Sequence, residues 1–173
     1  MNNKKVYFYE EQKMKQIWLV LFIIFLVGIF LYIFVKEVIM KKTALAGSPP
    51  VGFTIFMFII FGVLMPVVMF IAKLITRVEK EGIYIRFFPF HFKFLFFPFD
   101  HIQNYYNREY KPIPEYRGWG IRRGLHHGWA YNAYGNQGLQ LEMKDGERIL
   151  IGTQRPDEFV EAIDEVLEKE EKI

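Results

Sequence analysis

Two long apolar runs, each free of charge in its interior, occupy the first half of the chain and limit what it can fold into. The first is Ile17 to Val35, IWLVLFIIFLVGIFLYIFV; the second runs from about Phe53 to Leu74, with Lys73 as its only charge, at the far end. Each is close to the roughly 20 apolar residues a helix needs to cross a bilayer. In lipid every backbone polar group must be bonded internally, so only helices and closed barrels can span, and unbroken apolarity does not suit an alternating barrel strand. The expected layout is a cytoplasmic tail at 1–16, transmembrane helices at 17–35 and 53–75, an extracytoplasmic loop at 36–52 between them, and a cytoplasmic domain over 82–170.

Charge sets the expected orientation. Lys4, Lys5, Lys13 and Lys15 precede the first run, and Lys73, Arg77, Lys80 and Arg86 follow the second, against Lys36, Lys41 and Lys42 in the loop. Positive residues near span ends favour the cytoplasmic side, so both termini are expected there, in a two-pass protein of the cell membrane. Neither run contains Asp, Glu, His or Arg, which speaks against an ion or proton path. Pro66 is expected to kink the second helix.

Beyond Gly82 the texture changes to short β-like segments divided by turn residues: 82–88, 93–97, 101–110, 119–123, 129–134, 138–143 and 148–153. Asp145-Gly146 suits a tight hairpin turn between the last two. Pro156, Asp157 and Glu158 then open a helix, and Phe159, Ala162, Ile163, Val166 and Leu167 make its apolar stripe. The expected fold is a membrane α-helical hairpin plus an α+β soluble domain, with about seven antiparallel strands and a C-terminal helix. A two-sheet sandwich or partly open barrel covered by that helix would bury both.

The run GWGIRR at 118–123, the run AYNAYGNQGLQLEMKDGERILIGTQRPDEF at 130–159 and the helix after it resemble uncharacterised prokaryotic two-span membrane proteins with a bacterial pleckstrin-homology-like domain. The resemblance implies a pleckstrin-homology-like fold and little about activity. Lipid-binding members of the eukaryotic superfamily carry a basic-x-Arg pair on the second strand. Here Phe94 and Leu95 follow Lys93, so phosphoinositide binding does not carry over.

Two stretches could carry function. Residues 87–99, FFPFHFKFLFFPF, hold eight phenylalanines. Phe88, Phe90, Phe92, Phe94 and Phe96 share one parity, Phe87, Phe97 and Phe99 the other. A core can take only one face of a strand, so the remainder is available for a membrane interface. Arg117, Arg122, Arg123, His126 and His127, with Trp119 and Trp129 beside them, form the densest basic stretch. It could bind an anionic lipid head group or a protein partner; a solvated loop anchored by its tryptophans is the plainer alternative.

Little in the inventory points to catalysis. The chain has no cysteine, which removes thiol nucleophiles, disulfides and zinc–thiolate sites. Its only serine, Ser48, lies between the apolar runs. Adjacent histidines on a strand point to opposite faces, so His126 and His127 make a poor metal pair. No metal or other cofactor is expected, and no basic cluster on the scale of nucleic-acid binding occurs. The expected function is a membrane-anchored, non-catalytic binding or scaffold module that contacts the bilayer surface or a protein. The alternative is an enzyme, or enzyme subunit, acting on a lipid-borne substrate through Asp100, Glu109, His126 or His127.

Overall fold

A computed structural model describes residues 5–14, 17–39 and 50–171. They form two compact units: Met1–Met14 together with Ala72–Ile173, and Lys15–Ile71. The loop expected at 36–52 falls mostly on residues outside the described set, and Ser48 with it.

The larger unit holds nine strands in two sheets. The first contains β1 (Val6–Lys13), β2 (Lys73–Glu79), β3 (Gly82–Phe88) and β4 (Leu95–Pro98), antiparallel in that order. The second contains β5 (Ile102–Glu109), β6 (Gly120–Gly124), β7 (Gly128–Asn132), β8 (Gln137–Met143) and β9 (Arg148–Gly152), in the order β5-β8-β9-β7-β6, with β7 and β9 parallel. Both sheets feed one core. Leu74, Val78, Ile83, Ile85 and Phe87 come from the first; Leu139, Leu141, Ile149 and Ile151 come from the second. Each such side chain contributes about 1.5–3 kcal/mol by leaving water. The C-terminal helix, Pro156–Glu171, completes the core with the expected stripe: Phe159, Ile163 and Val166 are fully buried, and Phe159 stacks on Phe8 at 4.7 Å.

The smaller unit contains α1 (Ile17–Phe34), running on into a π-helical turn at Val35–Ile39, and α2 (Val51–Ile71). They pack through stacked rings, Phe30 on Phe61 at 5.3 Å and Phe34 on Phe58 at 4.8 Å. Pro66 lacks an N–H for the helical ladder. The turns before it, Phe58–Leu64, widen to π geometry, and the Met65 N–H reaches back to the Ile60 carbonyl. Most large side chains of this unit are exposed, Phe25, Ile24, Leu64 and Phe70 among them.

The expected fold class is corrected on three points. The fold is mixed α/β with nine strands, not a seven-stranded antiparallel pleckstrin-homology plan, and its β7–β9 pair is parallel. Two of the strands come from segments read as tail and span end. β1 turns Phe8, Glu10 and Gln12 inward, so two of its three buried positions are polar and no alternating apolar signal marks it. Most of those polar groups are satisfied: Glu10 accepts from the Thr153 hydroxyl at 2.7 Å and the Gln154 N–H at 2.9 Å, and Gln12 Nε2 donates to the Gly152 carbonyl at 2.6 Å, while Gln12 Oε1 has no partner among the described residues. β2 begins at Lys73, and its Leu74 and Ile75 merge in the sequence with the apolar run before them. Finally, the pair of equivalent spans is not found. Among the described residues one helix, Val51–Ile71, is long and apolar enough to cross a membrane, and the other apolar stretch, Val20–Phe34, is shorter.

Candidate functional site

The aromatic segment is the β3–β4 hairpin. Its parity divides it: Phe87 is 1% exposed in the core, with Phe97 and Phe99 packed against the same cluster. The other set points away. Phe92 is 85% exposed, Phe90 52% and Phe96 43%, the last stacked on Tyr84 at 4.5 Å. Phe88 and Phe94 are half-buried. Register fixes where the hairpin springs from. Lys73 lies opposite Lys13 on one side and opposite Phe88 on the other. The end of β1, the start of β2 and the end of β3 therefore share one sheet edge, and the loop carrying Phe90 and Phe92 leaves from that edge.

The basic stretch does not form one patch. Arg117 caps the short helix α3 (Pro112–Tyr116) in a left-handed conformation, φ 62°, and is exposed. Trp119 donates its indole N–H to the Gly135 carbonyl at 2.9 Å, and Arg122 Nε donates to the Trp119 carbonyl at 3.0 Å. Arg122 and Arg123 are successive residues of β6 and so face opposite ways. Arg123 lies over the Trp129 ring at 5.6 Å. His127 turns to Glu115, with Nδ1 at 3.8 Å from its carboxylate.

Arg123, His126 and Trp129 instead line an open groove of about 420 Å³ with Glu147 and Arg148. Glu147 lies in the turn between β8 and β9 and Arg148 opens β9, and a tight crossing brings them there. Gly128 has φ +73°, and a Cβ on it would lie 2.0 Å from the Arg148 carbonyl oxygen. Only glycine lets the start of β7 pass so close to β9. Glu147 and Arg148 escaped the sequence reading because charge beside a hairpin turn is ordinary.

The groove and the hairpin are connected by rings. His91, at the hairpin, lies 5.9 Å from Tyr131; Tyr131 stacks on Trp129 at 6.5 Å; Arg123 covers Trp129. Desolvation pushes the His91 imidazole below its ordinary pKa, and its buried Nδ1 has no hydrogen-bond partner among the described residues.

A polar hub holds the far side of the β6–β7 turn. Arg108 donates to Gln140 Oε1 (2.9 Å), to Glu115 Oε2 (2.8 Å) and to the Tyr116 hydroxyl (2.9 Å), and Tyr116 in turn donates to the His127 carbonyl at 3.3 Å. Desolvation pushes the Glu115 carboxyl up, but the Lys111 backbone N–H and the Arg108 guanidinium outweigh it and hold the pKa below its usual value. Burial pushes Tyr110, beside this hub, up to about 12. Nothing in the sequence marks the hub, whose members come together only when α3 packs beside β5 and β8.

The residues set aside for an enzymatic alternative are dispersed. Asp100 pairs with exposed His101 at 3.9 Å, and Glu109 accepts from the Asn136 amide at 2.5 Å. Among the described residues no three His, Asp or Glu side chains come together to hold a metal.

No curated protein and no solved structure matches the chain. Residues 2–168 match the family described as "Family of unknown function (DUF6141)". That match takes in the apolar segments and nearly all of the nine-stranded unit, and the chain belongs to this family.

Proposed function

We propose that this is a two-pass protein of the cell membrane with both termini cytoplasmic, whose nine-stranded unit acts by contact at the membrane surface and not by catalysis. One observation carries the reading: the hairpin with exposed Phe90 and Phe92 leaves the same sheet edge as the two strand ends that continue, within a few residues, into α1 and α2. Exposed phenylalanine beside Lys93 suits the boundary between head groups and acyl chains.

The pairing of β1 with β2 also bears on topology. Paired strands before α1 and after α2 are what an even number of crossings between them would require, which supports the two-pass reading. α2 is neither N-terminal, as a signal sequence would be, nor buried, as a core helix would be. The excess of Lys and Arg beside the termini supports a cytoplasmic placement.

Because the native chain has no cysteine, single reporters are clean. A cysteine in place of Ser48 should react with an impermeant reagent in intact cells, and one in place of Asn136 should not; the reverse pattern refutes the orientation. For surface contact, Phe92→Cys carrying an environment-sensitive dye should be quenched by spin-labelled lipid in bilayer discs, and Glu161→Cys, on the exposed face of the C-terminal helix, should not. Equal quenching at the two positions would remove the hairpin from the membrane surface and leave a protein partner as the object of contact.

A further inference from the structure

Arg77 on β2 and Arg86 on β3 flank core residues, Val78, Ile85 and Phe87, so by strand alternation both lie on the opposite face of the first sheet. Arg77 is in register with Tyr84 and Arg86 with Ile75, which makes the two arginines diagonal neighbours. Both guanidinium groups lie on a single ring: that of Phe94, 4.0 Å from Arg77 and 4.7 Å from Arg86. The Nε of each is buried and has no acceptor among the described residues. Arg77 has a carboxylate at 3.6 Å, Glu79. Among the described residues Arg86 has none within ion-pair distance.

This is an unusual way to leave two arginines. A buried N–H without an acceptor costs about 1–3 kcal/mol, more when it belongs to a charged group. Packing on Phe94 fixes the guanidinium planes but accepts no hydrogen bond from Nε in the way an oxygen does. An anion with several acceptor oxygens would meet both Nε groups. A phosphate fits, since the planar arginine fork binds it bidentately and two forks can share one group. The ring beneath them belongs to the same hairpin as exposed Phe90 and Phe92.

We propose that Arg77 and Arg86 bind a phosphate group, that of an anionic phospholipid. The phosphate chemistry stands on the geometry of the pair; the lipid source rests on the membrane-contact reading above.

The test uses the full chain, ¹⁵N-labelled at arginine, in a neutral detergent, titrated with inorganic phosphate and, at matched ionic strength, with acetate. Phosphate should shift two Nε–H signals, those lost in Arg77→Gln and in Arg86→Gln, and acetate should not. The double variant should weaken phosphate binding at least about tenfold. Arg86→Lys, which keeps the charge and the packing stem but not the fork, should fall between, and Lys144→Gln should match the unchanged chain. If phosphate and acetate act alike, or if the double variant still folds and binds phosphate normally, the site is refuted. In the second arm the chain sits in phosphatidylcholine discs with or without phosphatidylglycerol. Phosphatidylglycerol alone should reproduce the Nε–H shifts, and Phe92→Ser should reduce them there while leaving the phosphate response in detergent intact. A phosphate response in detergent without a lipid response refutes the lipid source; a lipid response that survives Phe92→Ser refutes the hairpin's part in the contact while upholding the site.

Discussion

The nine-stranded unit and the two apolar helices are built from the same side chains and treat them in opposite ways. Phenylalanine, isoleucine and leucine on the strands converge on one core, whereas on α1 and α2 the same residue types point outward along most of both helices. In water the second arrangement would forfeit the burial that stabilises the first, at about 25 cal/mol for each Å² of apolar surface. Under the membrane reading proposed above, water would surround the nine strands and an apolar medium the helices. Hydrophobicity alone does not locate a core; what matters is whether the fold supplies a partner surface.

The largest expected effect tests that contrast directly. Ile163 is fully buried against both sheets. Ile163→Asp would place a carboxylate there without a partner and should cost about 3–5 kcal/mol, enough to unfold the unit. Leu64→Asp, on the exposed face of α2, should leave the melting temperature in detergent within a degree or two of the original but reduce membrane insertion, by about 2.5–3.5 kcal/mol. Melting in micelles and fractionation of cell membranes read the two separately. If Leu64→Asp unfolds the nine strands while insertion is unchanged, the helices are part of a water-soluble core and the contrast fails.

A smaller effect is expected at Gly128, where the groove depends on a close backbone approach. Gly128→Ala meets the Arg148 carbonyl at 2.0 Å and also carries a positive φ. It should destabilise by about 2–4 kcal/mol. Gly118→Ala has a positive φ but open space around the new Cβ, so only the conformational part, about 1–2 kcal/mol, should appear. Equal losses at the two positions would mean that β7 can move away from β9 at little cost.

How much of this was legible in the sequence follows the same division. β3, β5, β8 and β9 alternate or are bounded by clear turns, and the C-terminal helix has a complete stripe, so local pattern was enough. β1 was illegible because the hydrogen-bond partners of its inward Glu10 and of Gln12 Nε2, which are Thr153, Gln154 and Gly152, come from the far end of the chain. The parallel β7–β9 pair is equally non-local. At the candidate surface, Phe87 ends in the core while Phe90 and Phe92 are exposed in the loop between β3 and β4, where strand parity no longer applies. The basic stretch looked like one patch because Arg122 and Arg123 are neighbours in sequence; on a strand that places them on opposite faces, and the groove draws Arg148 from another strand instead.

The polar hub offers a pH test of intermediate size. The Glu115 carboxyl has its pKa held below the usual 4.5 in the folded chain. A carboxyl with a depressed folded pKa contributes stability that is complete above its unfolded value and is lost as pH falls through the folded one. The melting temperature should therefore drop on acidification below about pH 4.5, and part of that drop should vanish in Glu115→Gln. Arg108→Ala removes one hydrogen bond each from Glu115, Gln140 and the Tyr116 hydroxyl and should cost about 1.5–3 kcal/mol at neutral pH. An Arg108→Ala variant that melts normally would show the hub to be incidental to the fold.

The smallest expected effect on stability is the most discriminating. Phe87 and Phe92 stand five positions apart on one hairpin, 1% and 85% exposed. Phe87→Ala should cost about 3–5 kcal/mol, since the core around it has no way to close the space. Phe92→Ser removes a ring that touches little of the fold and should change stability by no more than about 0.5 kcal/mol. If the exposed ring has a partner outside the protein, the loss appears there: Phe92→Ser should melt as the original does yet weaken hairpin quenching by spin-labelled lipid. A variant that melts normally and keeps full lipid contact would mean that Phe92 is a tolerated surface residue, and that the membrane contact proposed above does not depend on its ring.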